Sequence, residues 1–502
     1  MTQAAARFWS ATALLGVALM LGASVVVSPW LPVGGAAALL AVWTGLRYAD
    51  SLPQRFLSAL GILLAGYLFM GRGFAYVGVP PVFIGEIVLM IGVLAVLVCG
   101  RMMPVLSAPM FWPLIGFMVW GAIRTMPFVT MYGADAFRDA AIWAYAAFAL
   151  LVARFLPEGE GLHGVLKRYR KALPWFLVFT PVAAALNLYV PEALPYLGRS
   201  DATLPSFKPG DVAVHLAGCA AFMVLGLPHV GQKAGQRVRM MDSILWALWL
   251  CCLVVVAALN RGGALAIFVA LLVALMLRPI QAGKRLAHVG VLAALVVIAL
   301  FVFDVSIERQ NQRPISARQI TANVGSVLGE NDPDPTLADT RTWRLQWWQM
   351  ITDYTVHGQY FWTGKGFGVN IAEEDGFGLV DHSLRSPHNV QMTILARGGV
   401  PGLSLWGLML CTFGGLFVVG YIRARRAHDE LCALMLAWIL AYGMAFLVDG
   451  TFDVFLEAPQ GGIWFWSLVG IGCAALRSRG WGMEVWRDLG AREPAGRGIT
   501  GS

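Results

Sequence analysis

The stretch LCALMLAWILAYGMAFLV at residues 431–448 decides the fold class, because it is uncharged and apolar along its whole length. A helix of this length crosses roughly 30 Å of hydrocarbon, the thickness of a bilayer core. Similar apolar runs recur along the whole 502-residue chain, and they lack the alternation of polar and apolar residues that membrane β-strands have. The sequence therefore predicts an all-α polytopic membrane protein.

The apolar runs predict about fourteen transmembrane helices. Connections that contain Gly, Pro or charged residues separate one run from the next. The predicted spans are residues 11–27, 31–46, 56–70, 82–98, 109–123, 139–155, 172–190, 212–230, 243–259, 262–277, 286–303, 401–421, 431–448 and 460–476.

The composition excludes a soluble globule, because hydrophobic residues make up 58% of the chain, charged residues 13%, and the mean hydropathy is +0.67. A net charge of +8 would suit a nucleic-acid-binding protein, but most Lys and Arg residues fall in alternate connections between the spans. Such a distribution is the positive-inside pattern of membrane proteins. It predicts cytoplasmic termini, an even number of spans, no nucleic-acid partner, and a position outside the cytoplasm for residues 304–399.

The order of apolar and polar segments predicts four regions. Residues 1–303 form the N-terminal transmembrane helices, 401–476 form the C-terminal ones, and 477–502 form a cytoplasmic tail. Between the two sets of helices, residues 304–400 are too many for a passive connection, and they mix charged and amide side chains with aromatic ones. We therefore expect one large, mainly helical periplasmic loop domain that carries the catalytic motifs.

The segment RTWRLQWWQMITDY at residues 341–354 has the periodicity of a helix with two different faces. Trp343 and Trp347 lie on a packing stripe, whereas Arg341 and Arg344 lie on another. Arg341 either snorkels from an interfacial helix to the membrane surface or binds an anion. Arg344, which tryptophans flank, is expected to have a buried anionic partner.

The segment SPHNVQMTILARGG at residues 386–399 predicts a short helix with Ser386 at the N-cap, Pro387 at the first helical position and glycine at the end. His388 would then lie in the first turn. There the helix dipole disfavours an imidazolium and attracts anions, which suits a general base beside a phosphate site. In the alternative interpretation, His388 only bonds a neighbouring backbone group.

The segment Asn260-Arg-Gly-Gly263 places an arginine at the outer edge of a predicted span. Positive charge is disfavoured on the outer side, so Arg261 needs a reason other than topology. It either forms an ion pair with Asp449, Asp453 or Glu457 at the outer end of the last spans, or it binds an anion, which is the interpretation that we favour.

Three other segments carry weaker signals. Gly364-Lys-Gly-Phe-Gly368 resembles a phosphate loop, but it follows no predicted strand, so we interpret it as a turn. The segments 132–139 and 208–215 put charged side chains at outer helix ends, where they either form structural ion pairs or line a cavity. No His or Cys spacing indicates a metal site.

Taken together, the motifs resemble the O-antigen ligase and O-antigen polymerase superfamily. The resemblance depends on their order and on the late outer segment in a chain with many helices. It covers roughly Asn260 to Trp406 and comprises Asn260-Arg-Gly-Gly263, Arg344-Leu-Gln-Trp-Trp348, Gly364-Lys-Gly-Phe-Gly368, Ser386-Pro-His-Asn389 and Gly398-Gly-Val-Pro-Gly402.

The resemblance implies a GT-C-type membrane glycosyltransferase in the bacterial inner membrane, with a periplasmic active site and without metal or cofactor. The donor would be a glycan on undecaprenyl diphosphate, and the acceptor a hydroxyl of a glycan or of lipid A-core, attacked with inversion at the anomeric carbon. The residues that the resemblance implies are His388 as catalytic base, Arg261, Arg344 and in reserve Arg341 as ligands of the donor diphosphate, and Asn389 and Arg385 as supporting residues.

Two activities remain open within this superfamily. A ligase transfers a finished polymer to lipid A-core in lipopolysaccharide biosynthesis, whereas a polymerase joins lipid-linked repeat units of O-antigen or exopolysaccharide. The sequence does not separate the two activities, and we assign the label O-antigen ligase because the set of one histidine and two arginines resembles that group. A lipid-linked glycan flippase belongs to a different class, and it would be expected to show repeated halves and broken helices at the membrane midplane.

Overall fold

The structure is a computed structural model, and it describes residues 51–79, 82–99, 102–106, 108–195, 203–231, 236–302, 306–309, 312–316, 335–380 and 384–481. The predicted spans at 11–27 and 31–46 lie outside the described residues, as does nearly all of the predicted tail.

The all-α prediction is confirmed, because every predicted span within the described ranges coincides with at least one helix. In the first half, helix α2 is followed by a small antiparallel hairpin of β1 (Gly78–Val79) and β2 (Val82–Phe83). The helices there are α1 (Leu52–Met70), α2 (Arg72–Ala75), α3 (Ile84–Cys99), α4 (Met103–Leu106), α5 (Trp112–Tyr132), α6 (Ala134–Ala144), α7 (Ala147–Phe155) and α8 (Glu160–Tyr189).

The second half contains the remaining helices and a second hairpin of β3 (Ser306–Arg309) and β4 (Gln312–Ser316). A 3-10 turn at Phe455–Glu457 precedes the last helix. The helices are α9 (Pro209–Leu225), α10 (Gln236–Leu259), α11 (Arg261–Leu277), α12 (Pro279–Val302), α13 (Pro335–Thr355), α14 (Ile371–Glu374), α15 (Val390–Arg426), α16 (Glu430–Asp449) and α17 (Pro459–Arg477).

Among the described residues, fewer helices qualify as candidate membrane spans than the sequence predicts there. In the described part of the chain, four helical segments are long and apolar enough to cross a bilayer: Leu52–Met70, Pro109–Tyr132, Val390–Arg426 and Glu430–Asp449. Helices α6 and α7 qualify together as a fifth, bent by 47°. Several other helices, including α3, α9 and α11, are apolar but shorter. Apolar length alone therefore supports a membrane protein without reaching fourteen spans.

Helix α9 lies at the centre of the bundle, because every residue from Gly210 to Leu225 is buried. It packs against α11 and α16, which also pack against each other. Gly218 allows α16 to approach closely, since a Cβ there would lie 2.5 Å from the ring of Tyr442. Small residues at helix contacts are how helices in lipid gain van der Waals packing. Helix α9 is therefore held at a fixed position in the bundle.

Gly399 interrupts α15, and Pro401 follows it. The glycine has φ 67° and ψ −171°, a conformation that residues with a side chain rarely adopt. The carbonyl oxygen of Phe361 would lie 2.5 Å from a Cβ at this position. The predicted short helix therefore ends at this glycine, and the long apolar helix begins after it.

Helix α13 packs on the outer part of α15 through a second hydrophobic cluster. Trp347 and Ile351 of α13 are fully buried there, and Trp343 lies at its edge, so the predicted packing stripe is confirmed. The ring of Trp347 also donates a hydrogen bond of 2.7 Å to Asp375. The other buried members of the cluster are Ile371, Ala372, Leu395 and Ala396.

Candidate functional site

The turn 450–454, which follows α16, makes hydrogen bonds with both α13 and the start of α15. Its Gly450 carbonyl accepts a hydrogen bond of 2.8 Å from the backbone N–H of Val390, the first residue of α15. Its Phe452 carbonyl accepts one of 3.1 Å from the guanidinium of Arg344 in α13. Two segments that are far apart in sequence therefore meet at this turn.

Three helix N-termini also meet around the turn. Lys208, Asn260 and Asn389 are the N-cap residues of α9, α11 and α15, and both asparagine side chains accept a backbone N–H. A Cβ at Gly210 would lie 3.0 Å from the Asn260 amide nitrogen and 3.1 Å from Asp449 Oδ1, which shows how closely α9, α11 and α16 approach. Each helix N-terminus carries partial positive charge, which favours anions, and the carboxylates of Asp449 and Asp453 lie at this place.

His388 lies just before α15 and not in its first turn, so the predicted N-cap at Ser386 is wrong. The N-cap is Asn389, whose side chain accepts the N–H of Met392 at 3.0 Å. His388 itself has φ 53°, which takes it out of the helix and is rare for a residue with a side chain. Backbone strain of this kind is common at functional sites.

Asp453 is the nearest carboxylate to His388, with 3.8 Å between His388 Nδ1 and Asp453 Oδ1. The same oxygen is paired with the ammonium of Lys208 and accepts the N–H of Val454 at 2.6 Å. Burial raises the pKa of the Asp453 carboxyl, but His388 and Lys208 outweigh burial and hold that pKa at about 2. Asp453 is therefore ionised and able to stabilise a positive charge on the imidazole.

Arg344 faces the same turn and is half-buried. Its guanidinium lies 5.6 Å from the ring centre of Trp343, and its Nε atom has no hydrogen-bond partner in the described part of the chain. Burial lowers the pKa of this guanidinium, and the charge of Asp453 opposes that effect. Asp453 therefore contributes a negative charge near this guanidinium, and the anion contact of Arg344 stays a prediction.

Arg261 is the first residue of α11 and lies next to the same turn. A Cβ at its neighbour Gly262 would be 3.2 Å from the Cβ of Phe452. The structure thus brings His388, Arg344 and the start of α11 together. Arg341 lies in α13 one turn before Arg344, but its side chain is outside the described residues.

Asn389 and Arg385, the two residues predicted to support the site, both make hydrogen bonds within the protein. Asn389 caps α15, whereas Arg385 donates to the carboxylates of Asp135 at 3.3 Å and Asp139 at 3.1 Å. Asp139 also pairs with Arg397 at 2.8 Å. The charges at this outer helix end therefore pair structurally, and they anchor both ends of the segment that contains His388 to α6.

The glycine-rich segment 364–368 is a turn, as predicted. Gly364, Gly366 and Gly368 all have positive φ, and Lys365 pairs with Asp375 at 2.5 Å. The same ammonium lies 3.3 Å from Glu374. Lys365, the lysine of this turn, therefore has a structural role.

Sequence reasoning named Asp453 only as a possible partner of Arg261 and did not assign Lys208 to the site. The one local signal for Lys208 is its place directly before Pro209 at a helix start. In the ranges that the structure describes, no three His, Cys, Asp or Glu side chains are grouped as metal ligands would be.

Residues 246–407 match the protein-family model described as O-Antigen ligase. No curated protein matches the chain. The matched range includes Arg261, Arg344 and His388, and it ends before Asp453. The match confirms the resemblance found in the motifs, and it supports an O-antigen ligase or polymerase type of function in general.

Proposed function

On the basis of the O-antigen ligase match at residues 246–407, we propose that this protein is an O-antigen ligase-like glycosyltransferase. It transfers a glycan from undecaprenyl diphosphate to a sugar hydroxyl of lipid A-core at the periplasmic face of the inner membrane. The observation that carries the proposal is the convergence of His388, Asp453 and Arg344 at the N-termini of three helices.

In the proposed reaction, the acceptor hydroxyl oxygen attacks the anomeric carbon of the donor sugar. The bond between that carbon and the diphosphate oxygen breaks with inversion, and the hydroxyl proton moves to His388. Because Nδ1 of His388 faces Asp453, Nε2 is the atom that takes the proton. The Asp453 carboxylate stabilises the imidazolium that forms. General base catalysis of this kind typically contributes about 10²- to 10⁴-fold.

The leaving diphosphate gains negative charge in the transition state, and the arginines are proposed to neutralise it. Arg344 offers its unpaired Nε, Arg261 offers a guanidinium at the start of α11, and Arg341 is the reserve. Planar guanidinium groups bind phosphate oxygens in pairs, and the helix N-termini add backbone N–H donors. These groups take the place of a divalent metal.

Metal independence is a direct consequence of this arrangement. Transfer from purified lipid-linked donor is expected to persist in excess EDTA, because the positive charge at the diphosphate comes from side chains. The measurement is the rate of glycan transfer in reconstituted membranes with and without EDTA. Loss of turnover that added Mg²⁺ or Mn²⁺ restores would contradict the arginine-based account.

The proposed topology has about fourteen spans, both termini in the cytoplasm, and residues 304–400 as a periplasmic domain. The basic connections around residues 278–285 and 423–426 flank that domain and are short enough to follow the positive-inside rule. Alkaline phosphatase inserted near Asp332 is therefore expected to be active. Activity of only a cytoplasmic reporter at the same position would overturn the topology.

The alternative is a polymerase that joins lipid-linked repeat units of O-antigen or exopolysaccharide, since the family match is compatible with both activities. The surface glycans of a deletion strain, compared by gel and mass spectrometry, distinguish the possibilities. Free polymer on the lipid carrier indicates a ligase, and single repeat units indicate a polymerase. A build-up of lipid-linked glycan on the cytoplasmic side would indicate a flippase and contradict the proposal.

A further inference from the structure

One oxygen of Asp453 lies next to two nitrogen donors, those of Lys208 and His388. Its Oδ1 atom is paired with the Lys208 ammonium, and the same atom is the one that His388 Nδ1 approaches to 3.8 Å. A distance of 3.8 Å is beyond hydrogen-bonding range, so the contact between His388 and Asp453 is incomplete. The Lys208 ammonium is therefore paired with the same Oδ1 atom that would accept a hydrogen bond from His388 Nδ1.

The backbone of Lys208 is fixed, whereas its side chain is able to move. The preceding Ser206 exchanges backbone hydrogen bonds with the α1–α2 connection, accepting from Arg72 at 3.0 Å and donating to Met70 at 3.1 Å. Pro209 then starts α9. The side chain of Lys208 is 39% exposed, whereas that of Asp453 is 9% exposed. The Lys208 ammonium is thus carried on a flexible four-carbon stem that is partly exposed, whereas the Asp453 carboxylate is buried.

A diphosphate is a stronger partner for this ammonium than one carboxylate. The diphosphate carries at least two negative charges, and the three helix N-termini favour its binding at the same turn. The ammonium also has three rotatable donors and needs no fixed plane, so it is able to change partners without backbone movement.

We propose that Lys208 is a third ligand of the donor diphosphate, and that its move from Asp453 to the diphosphate frees Asp453 Oδ1 to accept a hydrogen bond from His388 Nδ1. This inference rests on the proposed function. The pair of His388 and Asp453 is then completed only when the donor is bound. Lys208 binds the leaving group, and through Asp453 it also controls the orientation of the base.

The test is a double-mutant cycle on the affinity for undecaprenyl diphosphate, measured with the purified full-length protein in nanodiscs. The variants are Lys208→Met, which keeps the stem, Asp453→Asn, which keeps the acceptor oxygen, and the two combined. Lys208→Arg keeps the charge and serves as the rescue. Lys284→Met, near the start of α12 and so at the opposite end of α11, is the matched control.

We expect Lys208→Met to raise Kd by about tenfold or more, the scale of one charge-assisted hydrogen bond, and Lys208→Arg to restore most of the affinity. At saturating donor, kcat of Lys208→Met falls as well, because the leaving diphosphate loses one of the cations that neutralise its developing charge. Asp453→Asn tightens binding, since the ammonium no longer has to leave a carboxylate, and this tightening disappears when Lys208 is absent.

An unchanged Kd for Lys208→Met with a lowered kcat would make the ion pair purely structural and overturn the inference. Equal tightening by Asp453→Asn with and without Lys208 would reduce the effect to general electrostatics and also overturn it. In either case, wild-type protein that binds the diphosphate and transfers glycan would leave the proposed function intact. Wild-type protein that does not bind undecaprenyl diphosphate would contradict the proposed function itself.

Discussion

His388→Ala is expected to lower the rate of glycan transfer by about 10²- to 10⁴-fold, because the acceptor hydroxyl loses its general base. Donor affinity should change little, since the diphosphate contacts of Arg261 and Arg344 survive. The measurement is the transfer rate and the donor affinity in reconstituted membranes at equal protein levels. His357→Ala is the matched control, because His357 is exposed at the end of α13 and belongs to the same outer segment.

A His388→Ala enzyme with a rate near wild type would remove the base assignment. The remaining candidates would then be Glu373 and Glu374, together with Asp381, which lies outside the described residues. Of the two glutamates, Glu374 lies 3.3 Å from the Lys365 ammonium. If donor affinity fell as far as turnover, His388 would instead be a ligand of the diphosphate.

Arg261→Ala is expected to weaken donor binding and to lower turnover as well. The guanidinium makes charge-assisted bonds to the bound diphosphate, and these bonds strengthen as charge develops on the leaving group. Loss of one such donor from an electrostatic site typically costs about 10²- to 10³-fold in kcat. Arg261→Lys should rescue only in part, because an ammonium lacks the planar fork that binds two oxygens.

Both rate and affinity must be measured for the Arg261 variants, with protein levels checked so that misfolding is not mistaken for lost chemistry. Arg168→Ala is the matched control, since Arg168 is exposed in α8 and lies in a basic connection. Full activity of Arg261→Lys would mean that charge alone matters. Unchanged donor affinity in Arg261→Ala would contradict the diphosphate contact.

The structure bears on two sequence predictions about residues near the site. The predicted N-cap at Ser386 satisfied the local rule as well as Asn389 does, because both residue types cap helices. The hydrogen bond from Val390 to the Gly450 carbonyl decides between them, and it joins residues 60 positions apart in the sequence. The resemblance implied Arg385 as a supporting residue, and the two carboxylates with which it pairs, those of Asp135 and Asp139, lie in α6.

The sequence by itself determined the features that follow from local periodicity. Apolar runs predicted the helices, tryptophans at helical spacing predicted the packed face of α13, and Gly399 before Pro401 predicted the break in α15. His388, Arg344 and Arg261 were found because each lies in a short motif whose meaning depends on its immediate neighbours.

Only the tertiary structure decided which charges meet. Lys208 and Asp453 are 245 residues apart, and nothing in either local sequence specifies the other. They meet because α9 is buried against α11 and α16, so the start of α9 and the turn after α16 emerge at the same end of the bundle. Packing fixes such contacts through the burial of whole helix faces, whereas a sequence pattern specifies only which face is buried and not which helix covers it.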